Sequence, residues 1–526
     1  MELSSHTTPL DPLSPTPKAQ PSRGIRWLKR IGWAAVWVVT LVSLAIAYEN
    51  WRGRQAWAAY VAEAGARGER LDLPSIVPPA IPDEENFAAA PIFRPLFDVK
   101  IEEVVENGKP QQGARASDPE GLATLKKIRA IPEGARKPKG SWRDGKSIDL
   151  TDVQAIYRSQ PEFAKSAPDT KPADAVIVAL SKFDREMEAM RGASMRPRAR
   201  FPLEYEKHLG MNLPHVQVLQ SFAEVARLRA VACLARGESN EAFRETQFLL
   251  RLADSLKDEP VIISLLVRYA LIETAFQPLW EGLVRHQWTE EQLAAFGTQL
   301  APVNLLGHYQ LAFRGERVIM IHALKAFQNA SDLPGLIYFH ELASPAWMSV
   351  MPDGWSDQSA AILARSYQEM IDPISVHERR IDVERTTKFW EEFLNSPEAR
   401  WNPRNFLARV TAPAFSTATQ RCAYGQATVH LATIAIMLER HRLRHAHFPE
   451  VLSGLDPAIN PAASELPHDP ATGRAPRYTL KADGTYTLYF DGWNGVDDGG
   501  HRGWKSNAKS KPDLTQGDWL WPQPAE

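Results

Sequence analysis

A loop near the end of the chain, residues 491–503, concentrates aspartate, asparagine and glycine. Calcium is a hard cation that takes about six to eight oxygen ligands from carboxylates, amides and backbone carbonyls, so these residue types suit it. The alternative is a plain acidic turn, because Asp and Gly form turns without metal. The loop lacks the EF-hand spacing, and His501, Arg502 and Lys505 follow closely and would oppose a cation. The predicted calcium ligands are Asp491, Asn494, Asp497, Asp498 and Asp518, the last approaching from the closing strand.

A second group that could bind metal lies at the end of a long helical pattern. His441 and His445 stand four residues apart, so they share one face of a helix, and His447 follows. Histidine pairs at this spacing are common metal ligands. The alternative is a solvated basic helix end, since three neighbouring arginines would repel a cation. These arginines are Arg440, Arg442 and Arg444.

Motifs of the common hydrolases and nucleotide-binding enzymes are missing from the sequence. Residues 134–141 contain Lys and Gly, but their spacing does not fit a phosphate-binding loop, and no G-x-S-x-G elbow occurs. His340 and His377 each begin an H-E pair without the second histidine of H-E-x-x-H. The sequence therefore favours a non-catalytic protein. An envelope hydrolase, with a pocket in a helical array under a lid at Leu333–Asp357, is the alternative.

One apolar stretch, Ile31–Tyr48, would position the candidate metal sites and the helical array relative to a membrane. It holds eighteen uncharged residues. As an α-helix it would be about 27 Å long, close to the hydrocarbon thickness of a bilayer. The stretch predicts a single transmembrane helix, with the lipid bilayer as a partner through residues 31–48.

The charges beside this stretch predict its orientation. Basic residues exceed acidic ones on its N-terminal side, which favours a cytoplasmic N-terminus. The basic residues are Lys18, Arg23, Arg26, Lys29 and Arg30. We expect the bulk of the chain to be periplasmic, anchored in the inner membrane of a Gram-negative cell. A cleaved signal peptide is the alternative, because Ala45-Ile46-Ala47 resembles a cleavage site.

Composition limits the class of partner. The 526 residues include 61 basic and 63 acidic side chains, a formal net charge of −2, which is no electrostatic footprint for nucleic acid. Hydrophobic residues make up 44%, enough for a sizeable core. The two cysteines, Cys233 and Cys422, are expected to be buried apolar side chains.

Helical periodicity dominates the middle of the chain. Apolar residues recur at intervals of three and four over Val216–Arg236, and Gly237 predicts the helix end. Thr151 and Thr289 each begin a capping-box pattern. The apolar run Val261–Ile272 is too short to cross a membrane and is expected to be a buried helix that Pro278 kinks or ends.

These patterns predict a mainly α fold with a transmembrane helix, an extramembrane array of helical hairpins and a small C-terminal α+β module with a short antiparallel sheet. Within the linker, residues 107–147 are read as a surface excursion. The predicted regions are a disordered cytoplasmic tail at 1–30, the transmembrane helix at 31–48, a helix extension and Pro/Gly-rich linker at 49–147, the helical array at 148–412, and a long helix with a β module at 413–526.

The C-terminal run resembles the C-terminal region of a type II secretion major pseudopilin. That family has a long helix, a "YP…L" turn, a "DPFG…Y" segment and a small sheet ending in a Gly- and Asp-rich calcium loop. The resemblance implies the same small sheet and calcium loop here. The matching residues are Phe448 and Pro449, Asp469 and Pro470, Tyr478, Tyr489, and the Asn494–Asp497 turn.

The whole chain is similar to uncharacterised single-pass envelope proteins of planctomycete and verrucomicrobial type. The similarity lies in YENWRGRQAW after the apolar stretch, IPDEENFAAAPIF, RARFPLEYEKHLGMNLPH and the tail. It implies an architecture and no activity. We therefore expect a membrane-anchored envelope protein that binds or scaffolds other envelope proteins.

Overall fold

The computed structural model describes residues 23–106, 109–329, 352–395, 406–459, 466–505 and 508–524. Within these ranges the chain is mainly helical with a few short antiparallel strands, which confirms the predicted fold class. Of the expected disordered tail at 1–30, residues 1–22 lie outside the described residues, whereas residues 23–30 belong to the first helix, so the prediction is wrong for them. Most of the expected lid, residues 330–351, also lies outside the described residues.

The first helix, α1, is continuous over Arg23–Ala66 and contains 44 residues. Its apolar part has a mean hydropathy of 2.0 over the most apolar window, and none of that window is buried. The helix is therefore long and apolar enough to cross a membrane, as the sequence predicts. It does not stop at Tyr48 but continues into the rest of the molecule.

The other helices follow in chain order. They are α2 Arg94–Phe97, α3 Pro119–Lys127, α4 Leu150–Ser159, α5 Pro172–Leu180, α6 Asp184–Ala193, α7 Pro214–Arg236, α8 Ser239–Asp254, α9 Ile262–Val284, α10 Glu290–Leu300, α11 Leu305–Asn329, α12 Asp353–Ile371, α13 Val383–Asn395 and α14 Phe406–His445.

The second half of α1 is docked against α11 and α12. Tyr60 and Ala64 are fully buried against Ile321 and Ala364. At the other end of the contact, the side chain of Asn50 accepts a hydrogen bond from the backbone N–H of Gly354 at 2.8 Å. This N–H is one of the unsatisfied donors of the first turn of α12, so α1 caps a helix of the array.

Several helix ends match the sequence signals. Gly237 ends α7 with φ 78°, a left-handed conformation that glycine adopts without strain. Thr289 forms a full capping box with Gln292. The box predicted at Thr151 is wrong: Asp149 caps α4, because its carboxylate accepts from the N–H groups of Thr151 and Asp152.

Helix α9 corrects the expectation for Pro278. The helix runs through this proline to Val284, and about two thirds of its most apolar window is buried. A proline inside a helix removes one backbone hydrogen bond. The residues on both sides of it, including Phe276 and Trp280, are buried, so packing holds the helix together across the break.

The segment before the array is more ordered than the sequence suggests. Residues Val99–Glu106 and Lys109–Ala116 form strands β1 and β2 of an antiparallel hairpin. Beyond helix α3, the side chains of Ile128, Trp142 and Ile148 are buried in the main core. The predicted surface excursion at 107–147 is therefore held to the core in its described part by a few buried side chains at irregular spacing, while most of its other side chains remain at the surface.

The strands of the tail form two small sheets. Strands β5 Arg477–Leu480, β6 Tyr486–Phe490 and β9 Trp519–Trp521 form a three-stranded antiparallel sheet, as expected. Strands β7 Arg502–Lys505 and β8 Ala508–Gly517 form a second hairpin, which the sequence analysis did not identify. A short pair, β3 Ile374–Ser375 and β4 Arg380–Ile381, precedes α13.

The tail shares its core with the helical array. The indole N–H of Trp280 in α9 donates to the carbonyl of Pro522 at 2.8 Å, and Trp521 packs on Trp142 with ring centroids 5.7 Å apart. The cysteines in α7 and α14, Cys233 and Cys422, are buried, as predicted, and they do not form a disulfide with each other.

Candidate functional site

Three of the predicted calcium ligands converge in the tail. Asp491 directly follows β6 and Asp518 directly precedes β9, and these strands pair with Phe490 opposite Trp519. The pairing places both carboxylates at one edge of the sheet, and the loop brings Asp497 to them. One oxygen from each of the three lies within 4.8 Å of the others. We call Asp491, Asp497 and Asp518 the aspartate cluster.

The other two predicted ligands, Asn494 and Asp498, bond to each other. The side-chain amide of Asn494, which is half-buried, donates to the carboxylate of the exposed Asp498 at 3.0 Å. The backbone N–H of Asp498 donates to Asp518 at 3.2 Å. These hydrogen bonds stabilise the loop around the aspartate cluster.

Two arginines already pair with two of the three carboxylates of the aspartate cluster. Arg477 donates from Nε to Asp491 at 2.6 Å, and its Nη1 lies 3.0 Å from the carboxylate of Asp497. Arg474 donates to the other oxygen of Asp491 at 2.8 Å. Burial alone would raise the pKa of Asp491, but these hydrogen bonds outweigh it and leave that pKa below its usual value.

Asp518 has a different role in the cluster. Its carboxylate accepts the backbone N–H of Gly500 at 2.6 Å and that of Asp498 at 3.2 Å, which fixes the turn of the loop. Burial raises its pKa, against the effect of these amide donors. The donor set of three carboxylates suits calcium. However, Arg477 bridges two of the three, so a metal ion would have to displace its guanidinium.

The arginines that contact the aspartate cluster, Arg474 and Arg477, are not the basic residues that the sequence suggested, which were His501, Arg502 and Lys505. Arg502, expected to oppose a cation, instead donates to the backbone carbonyl of Arg143. Arg477 lies on β5 opposite Tyr489 of β6, one strand away from the loop. Its approach to the cluster depends on strand register, which the sequence pattern does not specify.

A larger feature lies between the array and the segment that precedes it. An open cleft of about 860 Å³ separates residues 129–143 from α7 and α9. We call it the polar groove. Its lining side chains include Arg129, Glu133, Lys137 and Trp142 from the segment, Gln217, Gln220, Ser221, Glu224 and Arg227 from α7, and Glu273, Thr274 and Gln277 from α9.

Helix α9 holds the outer wall of the groove through side chains that bind backbone. Gln277 accepts from the N–H of Trp142 at 2.7 Å, and Glu281 accepts from the N–H of Ile148 at 3.0 Å. One turn earlier, Glu273 pairs with Arg143. These three side chains recur every four residues and so lie on one face of the helix. This wall, whose only regular structure among the described residues is a 3-10 turn beginning at Trp142, is thereby fixed.

The acidic groups that line the groove are engaged by arginines. Glu224 accepts from Arg227 at 2.6 Å, and Glu133 accepts from Arg129 at 2.6 Å. Glu273 accepts from Arg143 and also from the hydroxyl of Tyr269, the latter at 2.6 Å. No His or Cys occurs among the described lining residues. The groove therefore offers charge pairs, amides and an open surface, which suit binding better than acid–base chemistry.

A buried polar network at the start of α9 was not found from the sequence. The hydroxyl of Ser264 donates to Glu259 at 2.5 Å, and Nε2 of His215 lies 3.0 Å from the same carboxylate. His308 donates to the backbone carbonyl of Glu259 at 2.9 Å. Serine and histidine both contact the carboxylate here. A hydrolytic triad needs contact between serine and histidine instead. Both side chains are fully buried, so the network ties helices together.

Comparison with known protein families, with curated proteins and with solved structures finds no significant match. Function is therefore argued from the geometry of this chain. The resemblances to pseudopilins and to single-pass envelope proteins stay predictions.

Proposed function

We propose that this chain is a membrane-anchored binding protein without catalytic activity, and that the polar groove receives a segment of another envelope protein. The observation that carries this proposal is the construction of the groove. Its outer wall is fixed by Gln277 and Glu281, its carboxylates are held by arginines, and it is open to solvent. A preformed surface of this kind binds without paying the entropy of ordering its own loop.

Charge and hydrogen-bonding capacity define the partner. The basic side chains that line the groove outnumber the acidic ones by one, with Arg129, Lys137, Arg143 and Arg227 against Glu133, Glu224 and Glu273. The side-chain amides of Gln217 and Gln220 are exposed on the α7 wall. An extended polar polypeptide presents carbonyl and N–H groups that such amides recognise.

We also propose the placement of the groove. With residues 31–48 in the inner membrane and the basic flank in the cytoplasm, the array and its groove lie in the periplasm. The apolar helix supports this placement. Its partners would then be the lipid bilayer and neighbouring envelope proteins, and not nucleic acid.

We also propose that the tail binds calcium when the ion displaces the guanidinium of Arg477. Asp491, Asp497 and Asp518 would hold the ion, and Arg477 competes for the first two. Bound calcium would supply a stronger crosslink between the loop and the sheet than the guanidinium does.

Site-specific photo-crosslinking tests the binding proposal. A photo-reactive amino acid at Gln220 in the groove should crosslink to a discrete partner in intact cells. The same amino acid at Arg244, an exposed position on α8 outside the groove, should not. A matched variant, Gln220→Trp, should fill the groove and abolish crosslinking from a second reactive position at Gln217. Equal crosslinking from Gln220 and Arg244 would contradict the proposal.

A further inference from the structure

A small pocket rich in basic side chains lies where helices α6 and α8 end. Its volume is about 270 Å³, and its walls are residues 194–199, which follow α6, and residues 251–257 at the end of α8. We call it the basic pocket. Asp254 is the one acidic side chain among its described lining residues, against four basic ones. These are Arg196, Arg198, Arg251 and Lys257.

Two of these cations have no carboxylate partner among the residues that the structure describes. Arg251 is half-buried, and its Nη1 lies 3.0 Å from the sulfur of Met195, which is a weak acceptor. Arg196 is also half-buried and donates to the backbone carbonyl of Asn86 at 2.9 Å. A guanidinium carries five N–H donors. Both groups therefore have donors left for a ligand.

The other two cations of the basic pocket are paired. Arg198 lies 3.6 Å from the carboxylate of Glu85, and Lys257 lies 2.9 Å from that of Asp254. Asp254 also lies 3.6 Å from the buried guanidinium of Arg268. This carboxylate is thus shared between two cations and does not neutralise Arg196 or Arg251.

The ends of the two helices reduce the positive charge of the pocket without cancelling it. The C-terminus of a helix carries roughly half a negative charge, so α6 and α8 together contribute about one. Four basic side chains against Asp254 and Glu85 leave two positive charges. About one positive charge therefore remains to attract an anion.

Backbone hydrogen bonds hold the wall that carries Arg196 and Arg198. The N–H of Phe87 donates to the carbonyl of Arg198 at 2.8 Å, and the N–H of Arg198 donates to the carbonyl of Glu85 at 3.1 Å. Phe87 is itself buried and packs edge-to-face on Phe93, with ring centroids 4.9 Å apart. The pocket is therefore preformed, so a ligand does not have to order it.

We propose that the basic pocket binds an oxyanion of the phosphate class, either free phosphate or the phosphate of a monoester such as a lipid headgroup. Arg251 and Arg196 would donate to its oxygens, since the planar guanidinium matches phosphate geometry. The pocket shares no described lining residue with the polar groove. Its failure would therefore leave the proposed binding function standing.

Isothermal titration of inorganic phosphate into the full chain tests this site. The protein is purified in a maltoside detergent, which contains no phosphate, and is measured in about 0.15 M NaCl, where exposed charges are screened beyond about 8 Å. We expect saturable binding of one phosphate. Arg251→Gln should weaken binding about tenfold or more, because charge-assisted hydrogen bonding is lost. Arg244→Gln removes an exposed arginine from the same helix outside the pocket and should leave the affinity unchanged.

Glycerol 3-phosphate, titrated in the same way, distinguishes the two sources of the anion. Tighter binding of this ester than of inorganic phosphate would support a phosphomonoester as the ligand. Equal or weaker binding would support free phosphate.

Thermal unfolding of each variant without phosphate shows whether it folds, and Arg196→Gln replaces Arg251→Gln if the latter does not. The proposal is overturned if neither phosphate compound binds saturably. It is also overturned if a folded variant of Arg251 or Arg196 binds phosphate as tightly as the native chain does.

Discussion

Gly53 of α1 and Gly354 of α12 meet backbone to backbone. A Cβ added to Gly53 would lie 2.1 Å from the carbonyl oxygen of Gly354, and one added to Gly354 would lie 2.1 Å from the carbonyl oxygen of Glu49. Only glycine allows this approach, because any side chain would overlap the opposing backbone. The crossing is therefore one point at which α1 is attached to the array.

Gly354→Val should loosen this attachment. Overpacking of a close contact typically costs about 1–3 kcal/mol, which corresponds to roughly 5- to 150-fold faster opening of the contact. Hydrogen exchange of residues 49–66 in the detergent-solubilised chain measures this directly. Gly65→Ala is the matched control in the same helix, since nothing lies within 4 Å of the added Cβ. Equal exchange in the two variants would contradict the role of the crossing.

Acid should destabilise the array through His430. This ring is buried, its Nδ1–H donates to the carbonyl of His468 at 2.7 Å, and its Nε2 accepts from Gln426 at 2.9 Å. Burial lowers its pKa to about 4, against about 6.5 in the unfolded chain. Between these values the unfolded chain binds a proton that the folded chain refuses, so stability falls as pH decreases.

The expected loss from His430 is about 2 kcal/mol between pH 6.5 and pH 5. His308, whose pKa burial lowers to about 3, acts in the same direction. Asp469 opposes them, because burial raises its pKa to about 6 and the folded chain takes up its proton first. Urea unfolding at pH 7 and pH 5 should show a smaller acid loss in His430→Gln than in the native chain. An identical loss in both would rule out this histidine as the cause.

Arg477→Gln should increase the affinity of the tail for calcium. Removing the guanidinium leaves Asp491 and Asp497 without the cation that now bridges them. Their affinity for calcium should then rise about tenfold or more, because an opposing charge at contact distance is lost. Isothermal titration with calcium compares the variant with the native chain. Arg502→Gln is the control, since Arg502 binds a backbone carbonyl outside the cluster. If the variant bound calcium no more tightly than the native chain, Arg477 would not compete with calcium for the two carboxylates.

Trp521→Ala should detach the tail sheet from the array. Trp521 is buried against Trp142 and Phe276, with ring centroids 5.7 and 6.1 Å away. Loss of a buried tryptophan typically costs about 3–5 kcal/mol. We expect faster hydrogen exchange in β6 and β9. Trp504→Ala, at an indole that is 48% exposed, should change exchange little.

The sequence predicted the elements that obey a regular period. Helix α7, with its glycine end, and the β5–β6 hairpin could be placed because local patterns specify them. The segment at 128–148 could not, because Trp142 and Ile148 follow no period. Their backbone groups are satisfied by side chains of α9, more than 100 positions later in the chain.

The candidate sites show the same limit. Asp491 and Asp518 could be brought together from the predicted strands, whereas the approach of Arg477 depends on which residue of β5 pairs with Tyr489. The ion pairs of Arg440 and Arg444 with Glu290 join helices 150 and 154 positions apart, so the charge balance around the three histidines is visible only in the folded chain.

Because α1 is continuous, its apolar half and the half that packs on the array are rigidly connected. Gly53 lies five positions beyond Tyr48, which is about 8 Å along the helix axis. If the apolar half of α1 lies in a bilayer, as proposed, the helix continues without a break from the lipid to the Gly53–Gly354 crossing. A thinner membrane tilts a helix of fixed apolar length further from the normal. The array, and the groove with it, would swing through the same angle, so bilayer thickness would determine which way the groove faces.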